Sequence, residues 1–231
     1  VKSDLYFAQV PVGEMANFAY LIGSRETREC LLVDPAWSVD ALLDQAEADG
    51  MRVAGALVTH YHQDHVGGSI FGMEIEGLAR LLARAAVPVH VHAHEAEGVR
   101  KVTGVSASDL VRHEGGDVIE LGGLRVRLLH TPGHTPGSQC FLVEEPGAPG
   151  RLVSGDTLFL GSCGRVDLPG GDPEAMFDSL RNRLGRLPDD TLLFPGHFYA
   201  AEPSSTIGEQ KRTNPYLRVA RLEDFLSFMG Y

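Results

Sequence analysis

The sequence predicts an α/β protein in which two β-sheets pack face to face with helices outside them. Three observations predict it. Short apolar runs of strand length alternate with longer stretches of helical periodicity. Strand runs followed by helices occur in two successive sets, which is the signature of two layers of sheet rather than one. No internal repeat, low-complexity segment or long linker interrupts the 231 residues, so residues 1–231 read as a single domain.

The elements follow in chain order. Leu5 to Val12, Phe18 to Gly23 and Cys30 to Asp34 read as strands. Ser38 stands as N-cap of a helix that runs through Asp49 and ends at Gly50. Val53 to Thr59 is an apolar strand that runs straight into His60. Phe71, Ile75, Leu78, Leu81 and Leu82 recur at helical spacing and stop before Pro88, so a helix is expected over residues 69–86. Leu124 to His130, Gln139 to Val143 and Leu152 to Ser154 read as strands, the last two joined by the turn-rich Glu144 to Gly150. Pro173 to Leu187 is a helix with Asp172 as N-cap and proline at its first position. Leu192 to Phe194 is a further strand, and the short tail over 200–231 holds an amphipathic helix at Leu222 to Met229.

Bulk composition narrows the function classes. Hydrophobic residues make up 43% and charged residues 22%, as in ordinary globular proteins. The net charge of -11 argues against a general nucleic-acid binder, which needs a basic face. Three dispersed cysteines, Cys30, Cys140 and Cys163, give no disulfide framework and fit a reducing cytoplasm. The first residues lack an apolar signal core, and no run reaches the roughly 20 apolar residues of a membrane span.

The chemistry is concentrated at strand ends. In Thr59-His60-Tyr61-His62-Gln63-Asp64-His65-Val66-Gly67-Gly68, four potential ligands fall within six residues. His60 and His62 can point the same way from an extended segment, and a turn can aim Asp64 and His65 at a neighbouring point. His134 in Thr131-Pro132-Gly133-His134, Asp156 in Gly155-Asp156 and His197 in Pro195-Gly196-His197 each follow a strand beside glycine. Rigid strands would present all of them at one sheet edge. Imidazole and carboxylate together suit zinc or iron. Two divalent ions held by Asp64 and Asp156 would leave a net positive site that favours anionic substrates and activates water. No separate serine or cysteine nucleophile is needed, and Cys163 is read as structural.

The set HxHxDH (60–65), TPGH (131–134), GD (155–156) and PGH (195–197), in this order, resembles the metallo-β-lactamase-fold superfamily. The resemblance implies a four-layer αββα sandwich. It implies that His60, His62 and His134 hold one metal and Asp64, His65 and His197 a second, with Asp156 bridging them. Asp156 speaks against the true β-lactamases, which lack an aspartate there. Residues 155–159 (GDTLF) with 162–167 (SCGRVD) resemble glyoxalase II and the persulfide dioxygenases, and residues 205–215 look more like the latter.

Two reactions follow from that branch. A glyoxalase II-like hydrolase would cleave a hydroxyacyl-glutathione-type thioester with a metal-bound hydroxide, using two divalent ions, zinc in the first place. A persulfide dioxygenase would use one Fe(II) held by His60, His134 and Asp156, and a lactone hydrolase ranks below both. The hydrolase is taken as the leading expectation. The resemblance places Arg165 and Tyr199 at the substrate, a small thiol-derived molecule, with no nucleic acid or membrane as partner. In this light residues 69–86 are an insertion, read first as plain packing and second as a pocket wall or a homodimer contact. His90, His92 and His94 alternate on one strand face and are read as surface histidines, ahead of a second metal site. His113 receives no role, and His130 is a candidate support for the 131–134 loop.

Overall fold

The computed structural model describes residues 3–231. The first sheet takes β1 (Leu5–Val12), β2 (Asn17–Ser24), β3 (Glu29–Val33), β4 (Arg52–Leu57), β7 (Val89–His92) and β8 (Leu110–His113), in that lateral order. The first three strands are antiparallel neighbours; β3, β4, β7 and β8 run parallel. Parallel neighbours need long crossovers, and helices supply them. α1 (Val39–Ala48) joins β3 to β4, α3 (Leu78–Arg84) leads into β7, and α4 (Ala96–Thr103) leads towards β8.

The second sheet takes β9 (Val118–Leu121), β10 (Leu124–His130), β11 (Gln139–Glu144), β12 (Arg151–Gly155), β15 (Leu192–Pro195) and β16 (Ser205–Thr206), in the order β16-β15-β12-β11-β10-β9. Its antiparallel steps from β10 to β11 to β12, and the parallel step to β15, make β10, β12 and β15 run in one direction.

Strand alternation explains why the layers number four. Along β2, Phe18, Tyr20 and Ile22 face the second sheet, while Ala19 and Leu21 face the helices. Along β11, Phe141 and Val143 point inward and Cys140 and Leu142 outward. Both faces are apolar because both are covered. Three cores result. The middle one lies between the sheets and includes Phe18, Leu57, Leu128 and Phe141. One outer core packs Val39, Leu42, Leu78, Leu81 and Val99 on the first sheet. The other packs Met176, Leu180, Ile207, Leu217 and Phe225 on the second. These come from α5 (Pro173–Asp178) and its π and 3-10 continuation to Arg186, α6 (Ile207–Thr213), α7 (Pro215–Arg218) and α8 (Leu222–Met229). The expected αββα sandwich is the observed fold.

One expectation fails in part. The helix over 69–86 is confined to α3. Residues 68–75 form a hairpin of β5 (Gly68–Ile70) and β6 (Met73–Ile75), turning through Phe71 and Gly72. Ile75, Leu78 and Leu81 are buried and supplied the periodic signal, whereas Phe71 is wholly exposed and Leu82 only partly buried. An exposed aromatic at the right spacing mimicked a core position. Among the described residues, no helix is long and apolar enough to cross a membrane.

Candidate metal centre

All seven expected residues meet at the C-terminal ends of parallel strands. His60 and His62 follow β4, and Asp64 and His65 lie in the one-turn helix α2 (Gln63–Val66). His134, Asp156 and His197 follow β10, β12 and β15, the three strands that share a direction in the second sheet. Gly155 sits at φ +49, where an added Cβ would stand 2.7 Å from Thr59 Cβ. An added Cβ on Gly196 would stand 2.5 Å from Asp156 Oδ1. Gly155 lets the β12 loop close on the Thr59 loop of the first sheet, and Gly196 lets the β15 loop close on the β12 loop beside it.

Four of the five histidines, all but His62, are tethered on the side away from the centre. His65 Nδ1 donates to Asp34 Oδ2 at 2.9 Å, His134 Nδ1 to the Arg165 carbonyl oxygen at 2.7 Å and His197 Nδ1 to the Met15 carbonyl oxygen at 2.9 Å. Thr59 Oγ1 donates to Asp34 Oδ2 at 2.6 Å and so accepts from His60 Nδ1 at 2.9 Å. Each ring is thereby left with its Nε2 turned inward. This is the arrangement that orients imidazole ligands and sets their tautomer.

Inward, nitrogens and carboxylates crowd together. His134 Nε2 lies 3.0 Å from His62 Nδ1, and His65 Nε2 lies 3.1 Å from His197 Nε2. Asp64 Oδ2 is 3.4 Å from both His65 and His197. Asp156 reaches both groups, with Oδ2 3.7 Å from His134 Nε2 and 3.3 Å from His197 Nε2, and Oδ1 3.4 Å from His65 Nε2.

The charges divide the centre in two. Burial, then the neighbouring imidazoles, hold His60 well below the usual histidine range and bring His62 to about 4. Both are neutral donors at neutral pH. Burial also opposes charge on His65 and His197, but Asp64 and Asp156 outweigh it, holding His65 high and His197 at about 9. Against its own burial, Asp156 is brought to about 2 by His65 and His197.

The donor set fits metal ions. His60 Nε2 and Asp156 Oδ1 are buried without any hydrogen-bond partner, which is costly unless a cation completes them. Donor atoms of His60, His62 and His134 all lie within 4.8 Å of one another, and so do those of Asp64, His65 and His197. Asp156 stands between the two groups.

Comparison with known proteins agrees with this geometry. Residues 12–197 match the family model described as the metallo-beta-lactamase superfamily. The chain belongs to that superfamily. Its αββα core and His/Asp cluster are those of a metal-dependent enzyme of the metallo-β-lactamase fold. It is 31% identical over 221 residues to human mitochondrial persulfide dioxygenase ETHE1, covering 93% of this chain and 76% of that one. It is 31% identical over 215 residues to hydroxyacylglutathione hydrolase GloC of Haemophilus influenzae, covering 90% and 96%. The crystal structure of ETHE1 from Myxococcus xanthus superposes with a TM-score of 0.80 at 31% identity, covering 97% and 89%.

Above the centre this metallo-β-lactamase-fold chain has a cavity of about 480 Å³. Arg165 and Tyr199, the two expected substrate residues, both line it, together with Tyr61, Ile70, Phe71 and Leu168. Tyr199 stacks on His197 with ring centres 4.7 Å apart. The Arg165 guanidinium is held by Asp167 through bonds of 2.7 and 2.8 Å, so part of its charge is spent on its neighbour. Cys163 is mostly buried, and burial pushes its thiol up to about 12, which leaves it no nucleophile.

Sequence reasoning missed three supporting residues. Asp34 also accepts from Thr59 N at 2.8 Å and so joins β3 to the ligand loop. Its setting after an apolar strand, before Pro35, was the available signal. Asn17 Nδ2 donates to Asp64 Oδ2 at 2.9 Å. Buried Glu95 accepts from Tyr61 N at 2.8 Å, Gly137 N at 2.6 Å and Thr135 Oγ1 at 2.8 Å, clamping the first ligand loop to the 131–138 loop. His130 supports that loop differently from expectation. Its Nε2 donates to the Pro136 carbonyl oxygen at 3.0 Å, within the loop and not at a centre residue.

Proposed function

We propose that this chain is a glyoxalase II-like hydrolase acting on a small thiol-derived thioester of the hydroxyacyl-glutathione type. The completeness of the second ligand group carries the reading. Asp64, His65 and His197 converge within 4.8 Å and Asp156 reaches both groups, which supplies the donors a two-ion hydrolase requires; the same seven residues also contain those of a one-iron oxygenase.

His60, His62 and His134 would hold one ion, Asp64, His65 and His197 another, and Asp156 would touch both. When bound, a pair of divalent ions, zinc in the first place, supplies an acidified water and polarises the substrate carbonyl. The chain's own residues do the rest. Asp34 and the Met15 and Arg165 carbonyls keep the ring protons on the outer nitrogens. Tyr61, Ile70, Phe71 and Leu168 offer apolar wall to the acyl part. Arg165, at the cavity edge, would meet a carboxylate of the thiol part. The three unpaired cysteines accord with a reducing, cytoplasmic setting.

A second reading has its own support. The 31% identity to persulfide dioxygenase spans 93% of the chain, and Fe(II) held by His60, His134 and Asp156 would then serve oxidation of a persulfide by O2. A paired assay on anaerobically prepared protein decides between them. One arm offers a glutathione thioester and follows thiol release; the other offers glutathione persulfide and follows O2 uptake. Metal analysis runs alongside. Thiol release with two ions per chain is expected. O2 uptake with one iron per chain would overturn the hydrolase.

A further inference from the structure

The chain has ten histidines, and they fall into two groups of five. His60, His62, His65, His134 and His197 form the centre described above. His90, His92, His94, His113 and His130 gather elsewhere, at the margin where β7 and β8 of the first sheet approach β10 of the second. His92 ends β7, His94 follows it, Glu114 follows β8 and His130 ends β10. The fold thus repeats at its margin the device of the first centre, with donor side chains from both sheets on the C-terminal ends of strands.

The surface role expected for these histidines does not hold for His92, which is buried. Two members of the group satisfy themselves. His90 Nδ1 meets His113 Nε2 at 2.9 Å, and His113 Nδ1 meets Asp117 Oδ2 at 3.1 Å. His92 differs, because its Nε2 is buried with no hydrogen-bond partner. Around it stand His130, stacked with ring centres 4.0 Å apart, and His94 at 5.1 Å. The Glu114 carboxylate lies 3.9 Å from the same nitrogen on a largely exposed side chain. His130 gives its Nε2 proton to Pro136, which leaves its Nδ1 as a lone pair. One donor nitrogen each from His92, His94 and His130 lies within 4.8 Å of the others, the same limit met by His60, His62 and His134.

We propose that His92, His94 and His130, completed by Glu114, form a further site for a borderline divalent ion, zinc in the first place. Three imidazoles and one carboxylate match the ligand preferences of zinc. Burial and the neighbouring His130 and His94 rings favour the neutral, ligating form of His92. Tetrahedral zinc holds nitrogens roughly 3.4 Å apart, so loading draws in His94, which is exposed and free to turn, and splays the stacked rings. The His94 N–H contact to His92 Nδ1 is long, at 3.2 Å, and is given up as the ring proton moves from Nε2 to Nδ1. The bound ion would staple the first sheet to β10, whose following loop carries His134. This role is structural and independent of the reaction at the first centre.

The test is metal stoichiometry. Holoenzyme is titrated with Zn2+, passed over a desalting column and analysed for zinc per chain. Wild type should retain one more zinc than His94→Gln and Glu114→Gln, two surface substitutions that leave folding intact. Half-saturation of that additional zinc should weaken at least tenfold in His94→Gln. The additional zinc should persist in a His62→Ala/His197→Ala background, where the first centre is crippled. Equal retention by wild type and His94→Gln overturns the proposal, as does loss of the additional zinc with the first centre. Neither outcome touches the thioester assay, so the two readings fail separately.

Discussion

Asp34 and His65 are joined by a 2.9 Å hydrogen bond at the bottom of the centre, and the same carboxylate holds Thr59 by its N–H and its hydroxyl. Asp34 therefore sets the orientation of His65 and, through Thr59, of His60. Asp34→Asn must turn an amide N–H towards one of these donors. Metal affinity is expected to fall about 10- to 100-fold, as for other outer partners of ligating histidines. Competition with a chromophoric chelator measures it. An unchanged affinity would show that the rings hold their positions without the carboxylate.

Glu95 is the clamp between the two histidine loops. Its removal in Glu95→Ala leaves the Tyr61 and Gly137 N–H groups and the Thr135 hydroxyl without their acceptor. Stability should drop by about 3 kcal/mol, the scale of unsatisfied buried donors. Urea unfolding of the metal-loaded protein reads it. A loss below about 1 kcal/mol would mean that water replaces the carboxylate.

Arg165 and Phe71 mark two sides of the cavity. If Arg165 meets the thiol part of the substrate, Arg165→Ala raises KM for a glutathione thioester about tenfold with little change in kcat, the pattern of uniform binding. Phe71 is wholly exposed at the hairpin turn, so Phe71→Ala should change stability by less than about 0.5 kcal/mol. It should instead raise KM more for a large apolar acyl group than for a small one. Parallel KM values across an acyl series would remove the hairpin from substrate selection.

Acid sensitivity should come in part from outside the centre. Burial, with His113 beside it, lowers His90 from 6.5 to about 4. The unfolded chain then binds the proton that the folded chain refuses between those values. Its contribution is complete above pH 6.5, fades as pH falls towards 4 and changes no further below. For a partly buried ring this amounts to about 1–3 kcal/mol. Melting temperature against pH for wild type and His90→Gln measures it, with the variant showing the flatter curve over that window. Coincident curves would assign the acid loss to other groups.

Much of the centre was legible in the chain because its residues are local words. His60 to His65 occupy six consecutive positions, and His134, Asp156 and His197 each follow a strand beside glycine. Two successive sets of strand runs followed by helices made the two sheets readable as well. The hairpin at 68–75 was not readable, since Phe71 falls in phase with the buried Ile75 and Leu78 although it touches nothing in the core.

The sequence by itself determined the fold family, the seven residues of the centre and the strand ends that carry them, because periodicity and ligand spacing are properties of neighbours along the chain. Only the tertiary structure decided which residues support the centre. Asp34, Asn17 and Glu95 act across 31, 47 and 34 positions of sequence, through bonds that exist only once β2, β3, β4 and β7 lie together in the first sheet. It also decided that His92 is buried beside His130 and not exposed beside His90. That pairing lies between two sheets, where one-dimensional spacing carries no information and burial sets the energy.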